Sequence, residues 1–352
     1  MIKILFFILL WLSSFAHGAT GEHCKNVSKH ACQIHSQIGR GINLGNVFDP
    51  PYEGAWGEWF DERFIEEISK NFDSVRIPIR WTSYASEDAS AMIEPDFLEK
   101  IDNIVKTFLD NGLTVVISLQ HYKQIYGSKL DRGEKTVDEK DVLPRFFNIW
   151  HQLSIYFKNH SRKLLFEPLN EPHGRLGNKE WQYLISEVTA KIRENDVNRI
   201  LVFGPIKWNS VNNLNELKLP KNDKNILATV HTYEPFKFTH QNISYLYTKK
   251  YKNIACCNIY QTNKIERQLK LVKEWSKENG IPVFVGEFGS VKNADRTSRI
   301  HYLKTNIALL NKFEIPWFYW NFASDFGFYN SKTSKWDMDA LKQLNPNQIE
   351  HE

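Results

Sequence analysis

Two glutamates carry the strongest chemical signal in the chain: Glu171, within Asn170-Glu171-Pro172, and Glu287, within Gly286-Glu287-Phe288-Gly289, each close to the end of an apolar run. Hydrolysis of an acetal needs one carboxyl to protonate the leaving oxygen and another to act at the anomeric carbon. At a separation of about 5 Å the second group is a nucleophile and configuration is retained, whereas about 6.5–9.5 Å leaves room for a water and gives inversion. A lone Glu at a strand end is usually a surface or salt-bridged residue. Two of them in otherwise apolar strands need a task, because a buried carboxylate without a partner costs several kcal/mol.

The surrounding residues fit such a pair. Arg76, inside the apolar run Val75-Arg76-Ile77-Pro78, needs an anion, and a carboxylate nucleophile needs a cation to stay ionised. A purely structural ion pair is the alternative. Tyr233 can donate to the same carboxylate, and His121 and His231 are short-reach donors for sugar hydroxyls, although core packing explains a single His as well. Asn170 falls on the opposite face of an ideal strand from Glu171, so it joins the site only where the strand twists or bulges. Its amide would suit a sugar 2-hydroxyl. Trp320 is a candidate floor for the cleaved sugar, with barrel packing as the competing role.

The elements that must position these groups follow one rhythm. Apolar, β-branched runs at 41–46, 74–81, 113–120, 163–170, 199–205, 226–233, 282–289 and 316–322 read as strands. Amphipathic stretches at 61–71, 96–111, 143–157, 179–195, 265–279 and 295–312 read as helices between them, and Asn111-Gly112 and Asn279-Gly280 supply left-handed caps. The strands are continuously apolar, which marks a sheet covered on both faces. No Gly-x-Gly-x-x-Gly follows the first strand, so the chain is read as a single (β/α)8 TIM barrel rather than an open dinucleotide-binding sheet. The candidate residues then lie at the C-terminal strand ends, where such barrels carry their chemistry. The polar stretch 128–141 is expected to be a loop on that face.

Composition adds bounds. Lys3, the apolar run 4–12 and small residues around Ala16 and Gly18 describe a secretory leader, so the expected organisation is a signal peptide at 1–18, an N-terminal segment at 19–38, the barrel at 39–344 and a frayed tail at 345–352. The mature protein is expected to be secreted, monomeric and free of the membrane. The net charge of +4 is dispersed, without a basic block, which gives nucleic acid no footprint. Eleven Trp and fourteen Tyr exceed what one core needs and suit a groove in which sugar C–H faces stack on rings. Cys24, Cys32, Cys256 and Cys257 permit three pairings. A local Cys24–Cys32 clip is plausible, while adjacent Cys256 and Cys257 leave cross-pairing with the first two open.

Gly39-Arg40-Gly41-Ile42-Asn43-Leu44-Gly45-Asn46, Arg76-Ile77-Pro78-Ile79-Arg80-Trp81, Phe166-Glu167-Pro168-Leu169-Asn170-Glu171-Pro172, His231-Thr232-Tyr233-Glu234-Pro235-Phe236 and Val285-Gly286-Glu287-Phe288-Gly289 together resemble glycoside hydrolase family five, the cellulase family, from about Gly39 to Leu341. The resemblance implies a retaining mechanism, with Glu171 as acid/base and Glu287 as nucleophile. It places Arg76, His121, Asn170, His231, Tyr233 and Trp320 in the active-site set; Asn43, Trp208 and His240 complete the substrate-binding candidates. It also implies a β-linked polysaccharide as substrate, β-1,4-glucan first and mannan or xyloglucan as alternatives, and no cofactor or metal. A barrel that only binds carbohydrate is the rival reading, disfavoured by the presence of both glutamates. Two departures stand out. Gln120-His121-Tyr122 replaces His-His before the Tyr, and Gln241 is followed by Asn242-Ile243-Ser244, with Tyr245 the nearest ring where relatives tend to place Gly-Ala-x-Trp.

Overall fold

The computed structural model describes residues 21–346. The expected leader at 1–18 and positions 347–352 of the expected tail lie outside the described residues. Eight strands form a closed, all-parallel barrel in chain order: β1 (Arg40–Asn43), β2 (Ser74–Ile79), β3 (Thr114–Leu119), β4 (Leu164–Glu167), β5 (Ile200–Phe203), β6 (Ile226–His231), β7 (Val283–Phe288) and β8 (Trp317–Tyr319), with β8 pairing back to β1. The outer layer is α2 (Arg63–Asn71), α3 (Pro95–Asp110), α5 (Glu139–Tyr156), α6 (Asn178–Arg193), α9 (Ile259–Asn279) and α10 (Arg296–Lys312). Short turns α4 (Lys123–Tyr126), α7 (Ile206–Asn209) and α8 (Phe236–Thr239) shape loops after β3, β5 and β6, and a hairpin of β9 (Tyr329–Asn330) and β10 (Lys335–Trp336) leads into α11 (Met338–Leu344).

The order of strands matches the sequence expectation, but several strands are shorter. β4 stops at Glu167 rather than 170 and β5 at Phe203 rather than 205, because the residues beyond turn away to build the polar face. Helix α9 starts at Ile259 rather than 265, set by a capping box in which Asn258 accepts from Gln261 N and the Gln261 side chain bonds back to Asn258 N. The segment expected as an unassigned N-terminal stretch holds a helix, α1 (Lys29–Ile38), capped by Ser28.

That helix explains how the barrel is filled. Ala31, Ile34 and Ile38 of α1 close the bottom against Val116, Leu165, Val202, Leu227, Phe284 and Phe318 from the strands. Ser74 Oγ donates to Ile38 O at 2.6 Å, and the buried His35 ring bonds Val283 O at 2.9 Å. Side chains two positions further along a strand face the same interior. Asn43, Arg76, Ser118, Glu167, Thr229 and Gly286, two residues beyond Gly41, Ser74, Val116, Leu165, Leu227 and Phe284, therefore form a second, polar layer above the apolar base.

The cysteines pair locally, Cys24 with Cys32 and Cys256 with Cys257, so the cross-pairing left open by the sequence does not form. The first bridge clips the entry to α1; the second closes on adjacent residues just ahead of α9. Asn345, placed in the frayed tail from sequence, is buried and accepts from Arg40 Nη1. Among the described residues no helix is long and apolar enough to cross a membrane.

Candidate active site

Arg76 is the hub of the polar layer. Its Nη1 donates to Glu287 Oε1 at 2.9 Å and to Asn43 Oδ1 at 2.9 Å. Its Nε and Nη2 donate to the two oxygens of Glu167 at 2.6 and 2.9 Å, and Nη2 also reaches Asn170 Oδ1 at 2.7 Å. Arg76 and Glu167 are fully buried and Glu287 nearly so. Tyr233 donates its hydroxyl to Glu287 Oε2 at 2.8 Å, so both carboxylate oxygens of Glu287 are held by donors.

Strict alternation would turn Glu287 outward, because Phe284 and Gly286 face the interior. A bulge corrects this. Val230 pairs with Val285 but His231 pairs with Glu287, and on the other edge Val285 pairs with Trp317 but Phe288 with Tyr319. One extra residue in β7 thus rotates Glu287 into the site, the use to which barrel rims put bulges. Gly286 is required beside it: a Cβ there would come within 2.5 Å of Thr229 Oγ1 and 3.0 Å of His231 Nε2.

Glu171 reaches the site by a different route. It lies beyond the end of β4 with φ +49°, a left-handed conformation that a non-glycine residue adopts at a cost and that clusters at functional sites. The loop is pinned by Asn170 N to Leu119 O at 2.9 Å, by Tyr126 Oη to Asn170 O, and by Trp150 Nε1 to Pro168 O at 2.9 Å. Because the strand ends at Glu167, the alternation that would separate Asn170 from Glu171 no longer applies, and both face the site.

His231 Nδ1 lies 2.9 Å from Glu171 Oε1, and Asn209 Nδ2 lies 3.2 Å from His231 Nε2. The Asn209 amide donates to Nε2, which leaves the ring proton on Nδ1, directed at Glu171. Burial lowers the His231 pKa to about 4, so the ring is neutral near pH 7. Burial also raises the Glu171 carboxyl to about 7, against the pull of His173 and Arg76. Glu287 is raised as well, again by burial, with His231, Arg76 and the Tyr233 hydrogen bond opposing. The two carboxyls therefore stand in different surroundings: Glu171 has one imidazole donor and no cation in contact, while Glu287 has a guanidinium and a phenol.

The other expected residues divide into two groups. Asn43 is wholly buried, its amide donating to Gly286 O at 3.0 Å while its oxygen accepts from Arg76, so it supports Arg76 rather than meeting a ligand. His240 is also largely enclosed, stacked on Phe236 at 4.2 Å and edge-on to Tyr233 at 4.8 Å. It braces the tyrosine that holds Glu287. On the rim, His121 (φ +62°) sits 3.4 Å from Asp49 and edge-on to Trp56 at 5.4 Å. Trp320 covers Gly45, where a Cβ would come within 2.7 Å of the indole. Trp208 is 55% exposed and stacks on His173 at 4.9 Å, two residues from Glu171. Gln120 is buried and its Oε1 has no protein partner, and Tyr245 is 82% exposed at the start of the altered segment after Gln241. Glu167, Asn209 and Trp56 were not singled out from sequence. Glu167 alone carried a signal, an inward position two residues beyond Leu165 in a buried strand.

A carboxylate oxygen of Glu171, a ring nitrogen of His231 and a carboxylate oxygen of Glu287 all lie within 4.8 Å of one another. Such a trio can ligate a cation, but Arg76 already brings a positive charge onto Glu287 at 2.9 Å. Two carboxyls facing each other at this spacing, one favouring its proton through burial and the other held by a guanidinium and a phenol, can protonate a leaving oxygen and attack the carbon it leaves.

Residues 40–325 match the family described as cellulase (glycosyl hydrolase family 5). Endoglucanase H of Acetivibrio thermocellus is 32% identical over 318 residues, covering 88% of this chain and 33% of that protein, so the chain spans about a third of that relative's length. Among solved structures, Thermotoga maritima Cel5A in complex with cellobiose superposes with a TM-score of 0.83 at 32% identity, covering 89% of this chain and 99% of the other. The same enzyme in complex with mannotriose gives the same TM-score and identity, with the same coverage.

Proposed function

The chain belongs to the cellulase family, glycosyl hydrolase family 5, and is a glycoside hydrolase; from that premise we propose that it cleaves internal β-1,4 linkages of glucan by double displacement. Glu287, ionised and aligned by Arg76 and Tyr233, attacks the anomeric carbon. Glu171, protonated through its burial, gives its proton to the departing glycosidic oxygen and then takes one from the water that releases the glycosyl-enzyme. His231 holds Glu171 from the side. In the retaining mechanism of this family the hydrolytic water enters only after the leaving sugar departs, and oxygens of Glu171 and Glu287 that lie within 4.8 Å of one another suit that close arrangement.

The observation that carries this reading is the asymmetry of the pair: one buried carboxyl with a cation and a phenol on its two oxygens, the other with a pKa near 7 and no contacting cation. Exposed rings at Trp56, beside His121, and at Trp208, beside His173, suit stacking on successive sugars of a polymer. A second reading, a mixed glucan/mannan hydrolase, is favoured by one finding: the similar Thermotoga enzyme is solved with mannotriose as well as cellobiose. Export of the mature chain belongs to the same proposal, on the strength of the leader-like run at 4–12.

Reducing-sugar release from carboxymethylcellulose, glucomannan and barley β-glucan, with Glu287→Gln as control, tests it. Release by the wild type alone, greatest on the glucans, is the expected result. Comparable release by Glu287→Gln would refute the assignment, and preference for glucomannan would move the reading to the second substrate class.

A further inference from the structure

We propose that Glu167 is a positioning residue for this reaction: it orients Arg76 and, as a second carboxylate on one guanidinium, gives the site a net negative charge that the catalytic pair alone would lack. The inference rests on the reading of Glu171 and Glu287 given above.

The geometry comes first. A guanidinium has five N–H donors in a fixed plane. Glu167 takes two of them, from Nε and Nη2, in a two-point grip at 2.6 and 2.9 Å. Asn170 takes another at 2.7 Å, and Asn43 and Glu287 take the two on Nη1 at 2.9 Å each. Ser118 Oγ backs Nη2 at 3.3 Å. A two-point grip on one edge of a planar group fixes the direction of the opposite corner, and that corner is the Nη1 aimed at Glu287. Glu167 has no exposed surface, so it acts through Arg76 and not on the sugar.

Glu287 already neutralises Arg76, so a second carboxylate is not needed to compensate a buried cation, and burying another charge costs several kcal/mol. With Glu171 protonated and His231 neutral, Arg76, Glu167 and Glu287 sum to one negative charge. The ionisable groups around this cluster are Arg76 on β2, Tyr126 on α4, Glu171 and His173 after β4, His231 at the end of β6 with Tyr233 beyond it, and Glu287 on β7. Arg76 is the one permanent cation among them. The surplus has two uses. It favours the proton on Glu171, and it favours the positive charge that builds on the sugar ring in an oxocarbenium-like transition state.

The test compares Glu167→Gln and Glu167→Asp in the full chain, measuring kcat and KM against pH on an aryl β-cellobioside. Glu167→Gln removes the charge at constant size. Both limbs of the bell should move to lower pH by about two units, the scale of one charge about 6 Å away at an effective dielectric near 20. Its kcat at the optimum should fall by about 10–100-fold with KM changed less than about threefold, the pattern of a misaligned reacting group. Glu167→Asp keeps the charge but shortens the reach, so its limbs should stay in place while kcat falls. Wild-type limbs in the Gln variant, or equal shifts in both variants, would overturn the inference. If the Gln variant does not fold, the Asp variant decides: lower kcat at wild-type KM and limbs supports it, and wild-type kcat overturns it. An inactive wild type would overturn the reading beneath, whereas a bell-shaped wild type with an unchanged Gln profile removes this inference alone.

Discussion

Replacing Glu171 by Gln tests the division of labour most directly, because it removes the proton and leaves the shape. Burial holds this carboxyl at about 7 against an ordinary 4.5, which favours the protonated form by about 3 kcal/mol. At pH 6 about nine sites in ten then carry the proton, at pH 8 about one in ten, so wild-type kcat/KM should fall about tenfold per unit above pH 7. General acid assistance is worth about 10²–10⁴-fold, and Glu171→Gln should lose that much on glucan or on a cellobioside with an alkoxide leaving group. A 2,4-dinitrophenyl cellobioside departs without a proton, so its glycosylation step should slow by less than about tenfold. The alkaline limb should also vanish from the pre-steady-state burst of the variant, since the group that titrates there is gone. Initial rates and burst amplitudes by stopped-flow absorbance from pH 5 to 9 give both readouts. An alkaline limb that persists unchanged in Glu171→Gln, or equal losses on the two leaving groups, would refute the assignment of the acid to Glu171.

Three further outcomes follow from the geometry. Tyr233→Phe removes the donor on Glu287 Oε2, a bond that lowers the nucleophile's pKa; the acid limb of kcat/KM should therefore move to higher pH and kcat fall about tenfold, read from a pH–rate profile. His35, under the barrel, is lowered by burial to about 4 in the folded chain, so the unfolded chain binds the extra proton and stability declines as pH falls from about 6.5 to 4, by about 3 kcal/mol in all. His35→Gln keeps a donor for Val283 O and removes this titration, so calorimetric Tm should lose about one proton's worth of pH dependence over that range, while an unchanged slope would exclude His35 as its source. Phe318→Ala, which empties part of the inner base, should cost about 3–5 kcal/mol in a denaturant melt without altering the pH limits of activity.

The barrel was legible because burial on both faces leaves a plain mark, a run of apolar residues with helix caps between, and all eight runs became strands in the expected order. Strand ends were less legible, since Pro168-Leu169 and Tyr233 continue the apolar runs in composition but lie beyond the ladder in space. The N-terminal helix was missed because its buried stripe, Ala31, Ile34, His35 and Ile38, is narrow and includes a histidine that only a barrel floor explains. Asn43 and His240 belong to the site's motifs but contact Arg76 and Tyr233, roles set by neighbours in space and not by residue type. Trp56 could not be found from spacing, because its place beside His121 is set by a loop folding across the barrel mouth.

The two glutamates enter the site through departures from the regular strand, and that gives them different surroundings. Glu167 follows the alternation and ends up sealed in the layer with Arg76. Glu287 leaves it by a single extra residue, so it stays beside that layer and shares its cation. Glu171 leaves it entirely, past the strand end and through a left-handed residue, so it faces the same space from above with an imidazole for company. Distance from the guanidinium then follows from backbone path, and it adds to burial in setting the two carboxyls apart. Straightening either departure should therefore change ionisation before it changes the fold. Deleting Gly286 would straighten the ladder yet keep Glu287 inward opposite His231, so the barrel should survive, measured by far-ultraviolet circular dichroism, with hydrolysis lowered by the altered approach to Arg76 rather than abolished.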